Sequence, residues 1–380
     1  MEPSSQIIIK TVKGRHMLRQ FIDFPVHLYK DCPYFTPYIY EDEVGNLAPG
    51  KNPAARYCDF KLFLAYKNGK IVGRVCAIIN KFANEKYNQK RVRFNRIDFI
   101  DDIEVTKALI HAVEQFGKEN GLTEINGPLG YSDQDKEGLL TMGFDQMNMF
   151  VTFYTHAYYV DHLKQLGFVV DATWEEYKIF MPEKIDEKLT RISEYVQRKF
   201  KVHLANIPNK KHKNLAPYVH QVLELMNRAY KDLYGYVPID PDQMDHLADM
   251  TIPLINLDYL QVVCDEKEKV VAFGLMLPSP AVALKKCKGH LLPFGWIGFF
   301  SALKNAKKLD MALVAVEPEL QSSGIMAIIF DKAIRNAVKN GIEYAETGPE
   351  LNYNENVQAL WKSLKHERHK ERSAFLKKID

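Results

Sequence analysis

The chain of 380 residues has five cysteines, Cys32, Cys58, Cys76, Cys264 and Cys287, and no two of them stand in C-x-x-C spacing. That pattern provides neither a disulfide framework nor a thiolate zinc site, and it suits a reducing cytosol. His366-Glu367-Arg368-His369 is one residue short of the spacing that puts two histidines on one helix face, so no metal is expected. No apolar run reaches the ~18 residues of a membrane span. The opening Met1 to Gln6 has neither the basic region nor the apolar core of a signal peptide, and a cytoplasmic protein is the expectation. Lys and Arg total 51 against 48 Asp and Glu, a net charge of +3, so the surplus of positive charge that a nucleic-acid partner favours is missing. What remains is an ordinary globular composition, 46% apolar and 26% charged, in a chain long enough for two domains.

The most informative segment runs from Val316 to Met326, Val-Glu-Pro-Glu-Leu-Gln-Ser-Ser-Gly-Ile-Met. The apolar run Met311 to Val316 reads as a strand. The polar turn after it precedes a helix with Met326, Ile329, Phe330, Ala333, Ile334 and Ala337 on one face. A strand feeding a small-residue turn at a helix start aims unpaired backbone N–H groups in one direction, with the helix dipole behind them. Such a junction suits a pyrophosphate. Gln321, Ser322 and Ser323 offer side-chain donors, and Gly324 allows close approach of the backbone.

The same succession occurs twice. Lys118-Glu-Asn-Gly-Leu-Thr-Glu-Ile-Asn-Gly-Pro128 and Lys339-Asn-Gly-Ile-Glu-Tyr-Ala-Glu-Thr-Gly-Pro349 each read as a helix end stopped by Asn-Gly, a short strand, then Gly-Pro. A helix carrying Val105, Ala108, Leu109, Ala112, Val113 and Phe116 precedes the first, after a strand at 92–100. Two-stranded meanders lie upstream, Leu62 to Tyr66 with Ile71 to Ile79, and Tyr259 to Cys264 with Val270 to Leu277. The spacing suggests a duplicated unit, with a linker near Met181 to Glu187.

The Val316 segment resembles the acyl-CoA loop of the GNAT superfamily of N-acyltransferases, V-x-P-x-x-Q/R-x-x-G-x-G/A, with Val316, Pro318, Gln321 and Gly324 at matching positions. Met326 replaces the last small residue. The order of strands and helices also resembles that fold, and the whole chain resembles a bacterial group of tandem GNAT proteins. The resemblance implies an α/β fold class: two tandem GNAT-like domains, residues 1–183 and 184–380, each a mixed, mostly antiparallel sheet flanked by helices. It implies transfer of an acyl group from acetyl-CoA, a longer acyl-CoA or an acyl carrier protein to an amine. Val316, Gln321, Ser322, Ser323, Gly324, Ile325, Met326 and Asn354 would bind the donor.

Only the second half is equipped for this. At the matching junction the first half has Asp101-Asp102-Ile103-Glu104, carboxylates that suit a helix start and repel phosphate. One acyl-CoA per chain is expected. The late helix of a GNAT unit carries a tyrosine that protonates the leaving thiolate, and Leu163 and Trp361 occupy that position here. An indole N–H is no acid, but a thiol of pKa ~8.5 leaves readily without help. Positioning, oxyanion donors and a base are still needed. Glu346 and Glu317 are the expected bases.

The apolar decapeptide Leu291-Leu-Pro-Phe-Gly-Trp-Ile-Gly-Phe-Phe300 lies between lysines and interrupts the second unit. It is too short to span a bilayer and is open to three readings: an interfacial contact at the inner membrane face, a guide for a fatty chain, or packing. Trp296 is thus a candidate substrate contact, as are Trp361 and, after Gly127-Pro128, Tyr131, Asp133 and Lys136. Two alternatives to catalysis of this kind stand beside it: a non-catalytic acyl-CoA-binding protein, and a tRNA-dependent aminoacyl transferase of tandem-GNAT type.

Overall fold

The computed structural model describes residues 6–48, 50–132, 135–354, 361 and 364–379. In chain order the first half holds β1 (Ile8–Thr11), α1 (Gly14–Leu28), α2 (Tyr40–Leu47), β2 (Cys58–Lys67), β3 (Lys70–Asn80), α3 (Lys81–Lys86), β4 (Arg91–Phe99), α4 (Ile103–Glu119), β5 (Glu124–Gly127), β6 (Leu139–Met142), α5 (Tyr158–Gln165) and β7 (Val169–Phe180). Then come α6 (Glu187–Phe200), β8 (His203–Leu204), α7 (His212–Ala229), α8 (Pro241–Thr251), β9 (Leu260–Cys264) and β10 (Val270–Pro278). The chain ends with α9 (Ala281–Lys286), α10 (Gly295–Lys304), β11 (Lys308–Val316), α11 (Met326–Lys339), β12 (Tyr344–Thr347), β13 (Glu350–Leu351) and β14 (His366–Lys378).

These elements form two compact units that are interleaved in sequence. Unit 1 is Met1–Glu175 with Ala281–Phe299 and His369–Asp380, and unit 2 is Glu176–Pro280 with Phe300–Arg368. An expectation of two consecutive halves contains no such interleaving. The inserted segment 281–299 and the end of the chain both pack with unit 1. Lys285 Nζ donates to Cys32 O at 2.9 Å, Tyr40 N donates to Gly289 O at 2.9 Å, and His290 stacks on Tyr40 with ring centres 4.4 Å apart.

Each unit is a mixed, mostly antiparallel sheet with helices against it. In unit 1 the strand order is β1-β2-β3-β4-β5-β14; β4 and β5 run parallel, and β1–β2, β2–β3, β3–β4 and β5–β14 run antiparallel. The β2–β3 turn places Asn68 at φ 52° and Gly69 at φ 75°, the left-handed pair that a two-residue hairpin needs. Helix α4 covers the sheet with Val105, Leu109, Ile110, Val113 and Phe116, all buried. Unit 2 repeats the plan as β8-β9-β10-β11-β12, with the end of β7 antiparallel beyond β12, β11 and β12 parallel, and β8–β9, β9–β10 and β10–β11 antiparallel. Helix α11 buries Met326, Ile329, Ala333, Ile334 and Ala337. A Cβ at Gly274 would stand 2.8 Å from Ile329 Cγ2, so glycine sets how closely α11 meets β10. Both crossover helices stop alike. Leu122 N donates to Gly117 O, and Ile342 N donates to Ala337 O, with Gly121 and Gly341 at φ 71° and 68°.

Candidate functional site

In unit 2 the parallel pair β11/β12 is registered only from Lys308↔Tyr344 to Met311↔Thr347. Beyond Met311 the two strands part. β11 continues to Val316 beside β10, with a register shift that leaves Ala312 outside the pairing. Gly348 N donates to Met311 O at 3.0 Å at the point of parting, and Met311 to Val314 are half-buried. Tyr230, at the end of α7, donates its phenol to Val314 O at 2.6 Å.

At the far end of β11, a 3-10 turn (Pro318–Leu320) leads into Gln321 to Ile325 and then α11. Ser323 Oγ donates to Leu320 O at 2.6 Å and accepts from Ile325 N at 3.3 Å, so this hydroxyl holds the turn and does not face outward. Gly324 sits at φ 81° and is exposed, with Gln321 and Ser322 beside it. Among the described residues the amides of Ser322, Gly324 and Met326 have no protein acceptor. α11 has no acidic residue in its first turn and no side-chain cap. Val316, Ile325 and Met326 are buried in one cluster with Val196, Val271 and Ile329, which anchors the turn from below. The result is a group of unpaired donors at a positive helix end, chemistry suited to a phosphate chain.

The same junction in unit 1 is built for something else. Asp102 caps α4 by accepting from Glu104 N at 3.1 Å and pairs with Lys67 Nζ at 2.7 Å, while Asp101 lies 3.2 Å from His162 Nε2. The parallel pair β4/β5 also separates, after Arg93↔Asn126, but the opening is filled. Leu129 N donates to Phe94 O at 2.9 Å, Arg93 Nη1 donates to Gly130 O at 2.9 Å, and Asn95 Nδ2 donates to Lys136 O at 3.2 Å. β4 is buried from Val92 to Phe99.

No family model matches the chain. Two relatives align over most of their length. Protein YghO of Escherichia coli K12 is 28% identical over 344 residues, 88% of this chain and 85% of that one. The bacterial ceramide synthase of Caulobacter vibrioides is 27% identical over 329 residues, 84% of this chain and 83% of that one. Among solved structures, a tandem GNAT protein from the clavulanic acid biosynthesis pathway matches with a TM-score of 0.57, covering 99% of both chains at 10% identity. The chain has the tandem GNAT fold. A GCN5-related N-acetyltransferase from Sphaerobacter thermophilus agrees, with a TM-score of 0.51 over 98% of this chain and 96% of that one, at 8% identity.

Within this fold the two expected bases are both engaged. Glu317 is held by Arg228 through two contacts of 2.9 Å, Nε to Oε1 and Nη2 to Oε2, and Lys269 Nζ lies 3.9 Å from Oε1. Glu346 is buried on β12, with Oε2 2.7 Å from Lys308 Nζ, and Asp310 Oδ1 is 3.4 Å from the same ammonium. Burial pulls the Lys308 pKa down, but the carboxylates of Asp310 and Glu346 outweigh it and hold the ammonium above its usual range. Sequence spacing puts Glu346 beside Gly348-Pro349 and gives no sign of Lys308, which reaches it from the neighbouring strand.

The other expected residues fall in different places. Tyr131 is buried in unit 1, edge-on to Phe60 at 5.4 Å between ring centres and near the Arg96 guanidinium at 5.8 Å. Its side chain is 3% exposed. Lys136 Nζ lies 4.0 Å from the centre of the Tyr38 ring, and burial draws its pKa down to about 7. Asp133 and residues 355–360 lie outside the described residues, so the late helix expected after Asn354 is not described. Asn354 N donates to Leu351 O at 2.8 Å. Trp361 is buried in unit 2, 6.1 Å from the Tyr177 ring. Trp296 is exposed in unit 1 and donates its indole N–H to Pro293 O at 3.1 Å. Tyr230 and Arg228 carried no motif; only the fold brings them to β11 and Glu317.

The ion cluster makes a separable prediction. Glu346→Gln withdraws one carboxylate from the buried Lys308 and should cost about 2 kcal/mol of unfolding free energy, below the ~3–5 kcal/mol for an ion left without its partner. Urea unfolding measures this. An unchanged midpoint with acyl transfer abolished would make Glu346 a chemical group and not a structural one.

Proposed function

We propose that the protein is an N-acyltransferase that takes its acyl group from a phosphopantetheine thioester, acyl-CoA or acyl carrier protein, and passes it to an amine. The observation that carries this reading is the pairing, in unit 2 alone, of an uncapped glycine turn at Gln321–Met326 with open backbone on β11 past Met311. The turn receives the pyrophosphate, and the thioester arm lies where β11 and β12 diverge. The neutral amine attacks the thioester carbon. The C–N bond forms as the C–S bond breaks, and β11 amides beyond Met311 are suited to the developing oxyanion. The amine proton passes to solvent and the thiolate leaves without an acid, since Glu346 and Glu317 are paired and Trp361 holds the position of the usual tyrosine.

We also propose that the amine is lipid-like and is met at an anionic membrane surface on the inner face. Support comes from the Caulobacter relative, a bacterial ceramide synthase, at 27% identity. More directly, Leu292, Phe294, Trp296 and Ile297 are 66%, 74%, 46% and 53% exposed, beside exposed Lys286 and Lys288. An aromatic apolar knob with lysines and no carboxylate between Ala281 and Lys304 suits a headgroup interface. No helix among the described residues is long and apolar enough to cross a membrane. The buried Trp361 favours a second reading, an acyl-CoA-binding protein without turnover. Thiol release from acyl-CoA on adding long-chain amines separates the two.

Gly324→Asp places a negative side chain at a left-handed position in the turn. Calorimetry should then show CoA binding at least ~10-fold weaker, about 1.4 kcal/mol; unchanged affinity in the folded variant removes the site from the turn. In flotation, the protein should rise with phosphatidylglycerol vesicles and not with neutral ones. Phe294→Ser with Trp296→Ser should abolish this, and equal flotation of the double variant would remove the membrane contact.

A further inference from the structure

Unit 2 contains an apolar cavity that none of the loop chemistry uses. It lies between the inner faces of α7 and α8 and the strands β9, β10 and β11, with Val222, Leu247, Val262, Phe273, Leu275 and Leu313 among its walls. Its enclosed volume is about 40 Å³, and the roughly 440 Å³ of empty space around it includes the open solvent at its mouth. Tyr218 and Thr251 bring the hydroxyl groups to this lining, and no charged residue lines it. A headgroup, a peptide backbone or a nucleotide would find almost no partner there, so the ligand that fits is a hydrocarbon.

Position decides which hydrocarbon. Leu313 belongs to the stretch of β11 that has parted from β12, two residues past the last paired residue, Met311. A chain attached to a thioester lying on that stretch meets the cavity directly. The opposite face of the sheet offers no room, because α11 packs there with Ile329 against Gly274 and Met326 in the cluster with Val316. Val222 and Phe273 are buried, while Leu247 and Leu313 are half-buried, which places them towards the solvent side of the cavity. We infer that this cavity holds the acyl chain of the donor, and that the protein selects medium to long fatty acyl thioesters over acetyl.

The inference rests on the acyltransferase reading and can fail without it. Burial of two methylenes raises affinity about tenfold. Calorimetry with acetyl-, octanoyl- and palmitoyl-CoA should therefore show octanoyl-CoA binding at least ~100-fold tighter than acetyl-CoA. Val222→Phe fills the cavity, and Leu247→Phe narrows it from its more exposed side should the first variant fail to fold. Either should cut the octanoyl advantage at least tenfold and leave acetyl-CoA affinity unchanged. Equal affinity for all three thioesters in the wild type overturns the acyl pocket and leaves the donor site standing. Absence of binding to any of them overturns both. If thioester affinity is flat while binding of octadecylamine is lost in the filled variants, the cavity belongs to the acceptor and the inference is wrong.

Discussion

The structure turns on one constraint, the parting of two parallel strands. Backbone groups along a separated edge have lost their ladder partners and must find others or meet solvent. In unit 1 the chain supplies the partners itself. Leu129, Gly130 and Lys136 bond to β4 and its side chains, and the strand is buried along its length. In unit 2 the separation is left half-exposed from Met311 to Val314, with one carbonyl taken by Tyr230 and one by Gly348. An open edge next to a donor-lined helix start suits the thioester arm proposed for it. A filled edge next to a carboxylate-capped helix start is not.

The two units therefore share a fold and differ in chemistry. Asp102 gives α4 the side-chain acceptor that a helix start ordinarily wants, which stabilises the helix by about 1 kcal/mol. α11 lacks that cap, and its stability has to come from the face it buries against β10 and β11. Leaving the amides of Ser322, Gly324 and Met326 without protein acceptors makes sense if an anion supplies them. Ser323 shows how the turn is kept in shape meanwhile, its hydroxyl spanning Leu320 and Ile325.

Much of this was legible in residues that act locally. The Asn-Gly stops, the meanders, the apolar faces of α4 and α11 and the Gln321–Gly324 turn each depend on neighbours within a few positions, and periodicity exposes them. What could not be read depends on contacts made across the fold. Segment 281–299 joins unit 1 although the chain on either side of it belongs to unit 2; its apolar decapeptide marks an interruption in the sequence but not the unit it joins. Glu346 and Glu317 stand in the sequence as expected bases, and only the fold brings Lys308 and Arg228 against them. Tyr131, polar in a sequence of loop residues, is packed against Phe60 in the core. The cavity walls come from five separate elements, each of which contributes mostly ordinary apolar side chains.

The asymmetry of the two units predicts a single donor site per chain, in unit 2. Titration calorimetry of the full-length protein with CoA measures it most directly. The claim requires a stoichiometry of one, unchanged when Asp101 and Asp102 are replaced by alanine. A stoichiometry of two, falling to one only on substitution in the first unit, would contradict it.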